Sequence, residues 1–209
     1  MSAASLPVAT FVLAIAAPAL ADVITVGPGG DHASVAEAVA AASEGDTILV
    51  GRGVTSVLGQ TVIAAESLTV VAETSDPIPI AALTVRGLAE GQVVVLAGLQ
   101  LTANHVRLRD NQGAIRLQDC TLTTAALEVT RCADVSFQGC HLASTMSSVG
   151  DEVTLSVTAS SVSLDGCVVE GPDAPAYAGI GSPGRAGGTA VRSHTSQVRA
   201  SGSAILGGD

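Results

Sequence analysis

One hexapeptide pattern occurs four times in the second half of this chain. Ile115-Arg116-Leu117-Gln118-Asp119-Cys120 returns as Val135-Ser136-Phe137-Gln138-Gly139-Cys140 and as Val162-Ser163-Leu164-Asp165-Gly166-Cys167. Its fourth copy is Val198-Arg199-Ala200-Ser201-Gly202-Ser203. Each copy alternates apolar and polar side chains as a half-buried strand does, bends at Gly, Asp or Ser-Gly, and resumes on a small residue. A unit of this kind cannot bury its apolar face alone. It stacks on its neighbours, and the product is a solenoid.

The spacing sets the register. Leu99 precedes Cys120 by 21 residues and Cys120 precedes Cys140 by 20, while Val106 and Leu108 match Leu127 and Val129. Each coil therefore holds about three short strands, exemplified by Leu127-Glu128-Val129, Val135 to Phe137, and Cys140 to Leu142. Cys140 to Cys167 is longer, at 27 residues, and Cys167 to Ser203 longer still, at 36. Both excesses fall at one place, giving insertions Ala143–Thr154 and Glu170–Ala190 at the same corner of adjacent coils. Insertions stacked on one face are where solenoids put binding surfaces.

The first coil is expected to open differently. Asp22 to Val26 reads as a strand ending at Gly27-Pro28-Gly29-Gly30, and Ser34-Val35-Ala36-Glu37 is a capping box. Val35, Ala38, Val39 and Ala42 follow at helical spacing and would cover the open coil. Thr47 to Val50, Thr61 to Ala64 and Ser67 to Ala72 return to strand.

This opening stretch, with Gly45-Asp46-Thr47-Ile48-Leu49-Val50 and Ser67-Leu68-Thr69-Val70-Val71-Ala72, resembles the right-handed parallel β-helix proteins of the pectin-lyase-like group. The likeness spans 22–209. It implies an all-β, right-handed parallel β-helix of six or seven coils whose short helix plugs the first coil. That group includes polysaccharide lyases and hydrolases as well as noncatalytic surface modules, and the resemblance assigns no catalytic residue in this chain.

Residues 1–21 run apolar from Leu6 to Ala17, carry Pro18 and close on Ala19-Leu20-Ala21, as a secretory signal peptide does. The expectation is export to the periplasm, the cell surface or the medium, with cleavage before Asp22. No later segment is apolar enough to span a bilayer. Nineteen acidic residues against nine basic ones give a net charge of −10, which argues against nucleic acid. Beyond the leader, Phe137 and Tyr177 are the only aromatic residues, so a sugar cleft here would lack flat aromatic platforms.

Several clusters carry candidate chemistry. Cys120, Cys140 and Cys167 point inward, in register with Leu99 and Ser203. Coils repeat at about 4.8 Å, which leaves parallel Cβ atoms wider apart than the ~3.8 Å of a disulfide. A stack of thiols is expected over a bridge, and the disulfide state stays open. Cys132 reads as a turn residue aligned with Gln112 and Ala159. Arg107 lies over Glu128, and Arg109, Arg116 and Arg131 follow nearby. They form either a basic stripe for an anionic polysaccharide or a solvated face with weak pairs.

His141 stacks between Thr121 and Val168 beside the insertion corner, where the loops bring Asp151, Glu152, Glu170, Asp173 and Tyr177. Asp151, Glu152, Glu170 and Asp173 are candidates for Ca²⁺. His141 with Asp151, Glu152 or Asp173 is a candidate for acid–base catalysis. Solvated loop acids are the third reading. Gly179-Ile180-Gly181-Ser182-Pro183-Gly184 and Gly27-Pro28-Gly29 look like nucleotide fingerprints but lack the strand-turn-helix context, and read as turns. The functional expectation is a noncatalytic module presenting the loop face to a polysaccharide or cell-surface partner. A carbohydrate-active lyase or hydrolase, and a structural spacer or adhesin segment, are the alternatives. The last residues, Ile205-Leu206-Gly207-Gly208-Asp209, read as an unfinished edge that could stack on another copy.

Overall fold

The structure is a computed structural model that describes residues 21–54, 60–144, 153–172 and 189–207. The leader expected at residues 1–21 therefore lies almost wholly outside the described residues. The chain opens with β1 (Val23–Val26), helix α1 (Val35–Ala41), β2 (Thr47–Val50), β3 (Gln60–Ala64) and β4 (Leu68–Ala72). It continues through β5 (Pro77–Pro79), β6 (Ala82–Arg86), β7 (Val93–Ala97), β8 (Gln100–Gln118) and β9 (Thr121–Gln138). β10 (His141–Ser144), β11 (Val153–Thr158), β12 (Ser161–Asp165) and β13 (Val168–Glu170) follow. The last three are β14 (Thr189–His194), β15 (Gln197–Ser201) and β16 (Ala204–Leu206).

These strands wind as a parallel β-solenoid of about six coils. β8 and β9 each wrap almost a whole coil, and their residues pair in register over most of their length. One face carries β1, β2, β4, β7, residues 114–118 and 134–138, β12 and β15. A second carries β5, 100–103, 121–124, β10, β13 and β16. The third carries β3, β6, 105–109, 126–130, β11 and β14.

Alternation along each strand sends every second side chain inward, and the parallel register stacks equivalent positions into columns. On the first face Ile48, Val70, Leu96, Leu117, Phe137 and Leu164 lie rung over rung, all buried. Arg116, Gln138 and Asp165 are exposed and Gln118 half-buried, as the repeat predicts.

Helix α1 closes the first coil. The Ser34 hydroxyl accepts from the Glu37 amide at 3.3 Å, and the Glu37 carboxylate accepts from the Ala33 amide, one residue beyond the reach of a standard capping box. Val35, Ala38 and Val39 are buried against β1, β2 and β3, with Ala42 partly buried at the helix end. These are the four residues the helical spacing picks out.

Two of the three corners are lined by left-handed residues. Between the first and second faces stand Gly98, Asp119, Gly139, Gly166 and Gly202, with φ from 51° to 65°. Between the third and first stand Ala65, Gly87, Asp110, Arg131, Ala159 and Thr195, with φ from 48° to 73°. Non-glycine residues are uncommon in this region, so a stack of them shows that the coil path imposes the conformation.

Except for Glu66 after Ala65, the residue after each of these left-handed turns is buried or hydrogen-bonded at the corner. At seven coil corners it is Cys or Ser, donating to the carbonyl two residues back: Cys120, Cys132, Cys140, Ser160, Cys167, Ser196 and Ser203. The same side chain accepts from the corner amide of the preceding coil. The Leu99, Cys120 and Cys140 amides are directed at the sulfurs of Cys120, Cys140 and Cys167, and the Cys167 amide donates to Ser203 Oγ at 3.0 Å. At the other corner Leu88 donates to Asn111 Oδ1, Asn111 to the Cys132 sulfur, Cys132 to Ser160 Oγ, and Ser160 to Ser196 Oγ. Buried amides need partners, and these relays supply them where the strand ladder breaks.

All four cysteines are free thiols and buried. Cys132 is not aligned with Gln112 and Ala159: it pairs with Asn111 and takes its amide partner from Ser160. The ladder shifts between Asn111 and Ala114, so counting along the chain misplaces this corner by one residue. Gly113 sits in that irregularity because a Cβ there would run into the carbonyls of Gln92 and Ala89.

Candidate functional site

The third corner, between the second and third faces, has neither a left-handed residue among the described residues nor constant length. In its short form a hydroxyl bridge runs from the buried Thr124 to the Asn104 carbonyl of the preceding coil at 3.4 Å. Asn104 alone separates segments 100–103 and 105–109 of β8, and Ala125 alone does so in β9. In the next two coils β10 leads to β11 through 145–152, and β13 leads to β14 through 171–188. Both connections leave from paired positions, Ala143↔Glu170, and return to paired positions, Val153↔Thr189 and Leu155↔Val191. The strands extend further than the sequence suggests: Ala143, Ser144, Val153 and Thr154 are strand residues and not part of the insertion. Thr154 is fully buried, and its hydroxyl donates to the Glu170 carbonyl at 2.5 Å. The return of one insertion is thereby tied to the departure of the other.

His141 stacks between Thr121 and Val168, as the register predicts. Its Nε2 lies 3.2 Å from Glu170 Oε2, one rung over and two residues along, with both side chains nearly half exposed. Nε2 itself is buried and makes no hydrogen bond, so the two groups are close without being aligned. The pair sets an imidazole and a carboxylate at the foot of both insertions. Asp151, Glu152, Asp173 and Tyr177 lie outside the described residues. Glu170 is thus the one Ca²⁺ candidate with a described position, and among the described residues no group of three or more His, Cys, Asp or Glu is arranged to hold a metal.

The arginine stripe is a set of cross-coil pairs. Arg107 Nε lies 3.2 Å from Glu128 Oε2, in register as expected. Arg131 Nε donates to Asp110 Oδ1 at 2.5 Å, and Arg116 Nη2 lies 3.7 Å from Asp134 Oδ2. The Arg131 hydrogen bond holds the Asp110 carboxyl below the usual aspartate range, helped by the charges of Arg131 and Arg109. Three of the four candidate cations thus face acids of a neighbouring coil. The surface is a mixed ladder, poorly suited to a polyanion.

Contact with Cys140 holds the Cys120 thiol below its ordinary value, but its sulfur is buried and out of reach of a substrate, and the other three thiols are held protonated. Contact with Cys120 and then burial raise the Cys140 thiol far above its ordinary value, and burial raises Cys132 and Cys167. A protonated buried thiol is a poor nucleophile. Sequence reasoning missed the relay role, although the exchange of Cys167 for Ser203 in the fourth repeat was its visible sign. No described helix is long and apolar enough to cross a membrane. The chain has no significant match to any protein family, curated protein or solved structure.

Proposed function

We propose that this chain is an exported, right-handed β-helix of the pectin-lyase-like kind, acting as a noncatalytic module that holds a polysaccharide or cell-surface glycan at its loop-bearing corner. The observation that carries this reading is the shared root of the two insertions, tied together by Thr154 and Glu170 and flanked by His141. A rigid coil stack fixes the spacing of the two loops, and loops on a rigid scaffold are where proteins place recognition. The apolar run and small-residue ending of residues 1–21 support export in this reading.

Glycan arrays test the proposal. The chain is expected to bind a defined subset of polysaccharides, and replacement of 145–152 and 173–188 by short turns to abolish that binding while the thermal midpoint stays close to wild type. Retention of binding by the loop-shortened chain would place recognition elsewhere. A second reading, a lyase or hydrolase, draws on the closeness of His141 Nε2 to Glu170 Oε2. It requires release of reducing ends or unsaturated products from a bound polysaccharide, and loss of that release in His141→Ala with binding retained.

A further inference from the structure

The glycine turns near the start of the chain wall a cleft on the opposite end of the molecule's sequence from the insertions. It is open, with a volume of about 580 Å³, within the range of small-ligand sites. β1 ends at Val26 and turns back through 27–30, so that His32 bridges to Val26. Asp31 fastens this turn by accepting the Thr25 amide and hydroxyl, each at 2.8 Å. β2 ends at Val50 and turns through 51–53, where Gly53 comes up against Pro28: a Cβ on Gly53 would stand 3.4 Å from Pro28 Cγ. The two turns pack on each other, with the Gly51 amide donating to the Val26 carbonyl at 2.8 Å, and together they line the cleft.

Their composition decides what fits against them. Gly27, Gly29, Gly51 and Gly53 present only backbone to the cleft, and the outward side chain of Leu49 supplies an apolar floor. The rim holds one cation, Arg52, and one lining carboxylate, Glu73, with Asp76 beside Arg52. The Arg52 side chain is 81% exposed, with its nearest carboxylate, Asp76, 3.9 Å away. Glu73 is exposed above Gly51, whose Cβ would stand 3.2 Å from Glu73 Oε2.

We infer that this cleft is a carbohydrate subsite for a neutral sugar residue, an assignment that rests on the glycan-binding reading above. A sugar hydroxyl both accepts and donates, so vicinal hydroxyls can accept from Arg52 and donate to Glu73 together. The ring's CH face rests on Leu49, and further hydroxyls meet the backbone groups of the glycine turns. An acidic sugar would meet Glu73 and Asp76 at the rim, and the chain's net charge of −10 would oppose it further. The backbone-lined cleft also explains how a chain with almost no aromatic residues can hold a sugar without stacking it.

The test is amide chemical-shift mapping of the full ¹⁵N-labelled chain, titrated with neutral hexasaccharides of glucose, xylose or mannose and with hexagalacturonate. A neutral hexasaccharide is expected to shift the amides of Gly27, Gly29, Gly51 and Gly53. Glu73→Gln and Arg52→Ala, both exposed and so without effect on folding, are each expected to weaken it about tenfold, the loss of one charge-assisted hydrogen bond. Shortening the loops should leave these oligosaccharide shifts in place while still abolishing capture of the long polysaccharide on the array, which needs the loop corner as well as the subsite. Shifts confined to Thr121, Thr123 and His141 would overturn the cleft and keep the glycan reading. Equal shifts with hexagalacturonate, or shifts that survive both substitutions, would overturn the neutral-sugar assignment. Silence with every oligosaccharide would overturn both readings.

Discussion

The corner that carries the thiols and the corner that carries the insertions are made from the same coils, yet they obey opposite rules. At the first, Gly98-Leu99, Asp119-Cys120, Gly139-Cys140, Gly166-Cys167 and Gly202-Ser203 are all that separate one face from the next. A left-handed residue turns the chain, and an inward side chain serves both the carbonyl two residues back and the amide one coil away. At the second, Asn104 and Ala125 suffice in two coils, while long connections occupy the next two. The difference is one of hydrogen-bond accounting. Where a corner residue must meet partners in two coils, its place along the chain is fixed. Where the cross-coil side-chain contacts are threonine hydroxyls on carbonyls, as at Thr124 and Thr154, no amide of another coil depends on a corner side chain, length is free, and variation can be used for recognition.

Insertions and substitutions at these corners would break or sharpen this contrast. Inserting one alanine between Gly139 and Cys140 would remove the relay and turn the next strand's apolar face outward. The expected cost exceeds the whole stability of a domain of this size, about 5–15 kcal/mol, and the readout is loss of cooperative unfolding. Inserting four Gly/Ser residues after Asn104 should cost only about 1–2 kcal/mol of loop closure. Comparable losses at both corners would erase the distinction.

Cys140→Ala comes next. It leaves the Cys120 amide without its partner and empties a buried site, with an expected loss of about 1–3 kcal/mol in urea unfolding. Cys140→Ser keeps a side chain that Ser203 already uses in the same column, and should lose less. If the two substitutions cost the same, the sulfur serves only as filler. Native-state thiol labelling should be slow at all four cysteines, since each is at most 2% exposed.

Thr154→Val removes the hydroxyl that donates to the Glu170 carbonyl and should cost about 1 kcal/mol. Its larger effect should be on glycan binding, because the two loop roots are no longer tied. The smallest effect belongs to Arg131 and Asp110, an exposed pair. The carboxyl of Asp110 is held below its ordinary value of 3.8 in the fold. Its contribution is therefore complete above the unfolded value and is lost as pH falls through the folded one. Asp110→Asn should flatten that acid limb slightly, and 1 M salt should do the same to the wild type. A steep acid transition unchanged by Asp110→Asn would assign it to other carboxylates.

Much of this architecture was legible in the residues, for a physical reason. A period of two with one buried face specifies register strongly, so pairing Val106 with Leu127, Arg107 with Glu128 and His141 with Thr121 needed only counting. Counting failed at Cys132, because the shift between Asn111 and Ala114 adds chain without adding a rung. The relays were invisible because a serine or cysteine at a turn gives no sign, in one coil, of an amide waiting in another. At the candidate site, the column of His141 could be read, and its closeness to Glu170 follows from the diagonal of the parallel ladder. The acids of the loops follow no such repeat. The cleft escaped notice because glycine turns read as punctuation, and only folding sets two of them face to face.

The relays also interlock. At one corner each amide faces the next coil, while the thiol reaches into the coil before: the Cys120 sulfur lies 3.3 Å from the Leu96 carbonyl oxygen, that of Cys140 3.4 Å from the Leu117 oxygen and that of Cys167 3.3 Å from the Phe137 oxygen. The amides that follow also donate backward, His141 to the Cys120 carbonyl and Val168 to that of Cys140. Neighbouring coils are thus stitched from both sides, and neither can open without stranding a donor in the other. Hydrogen exchange at Cys120, Cys140 and His141 should therefore rise together, as one cooperative unit, and not coil by coil.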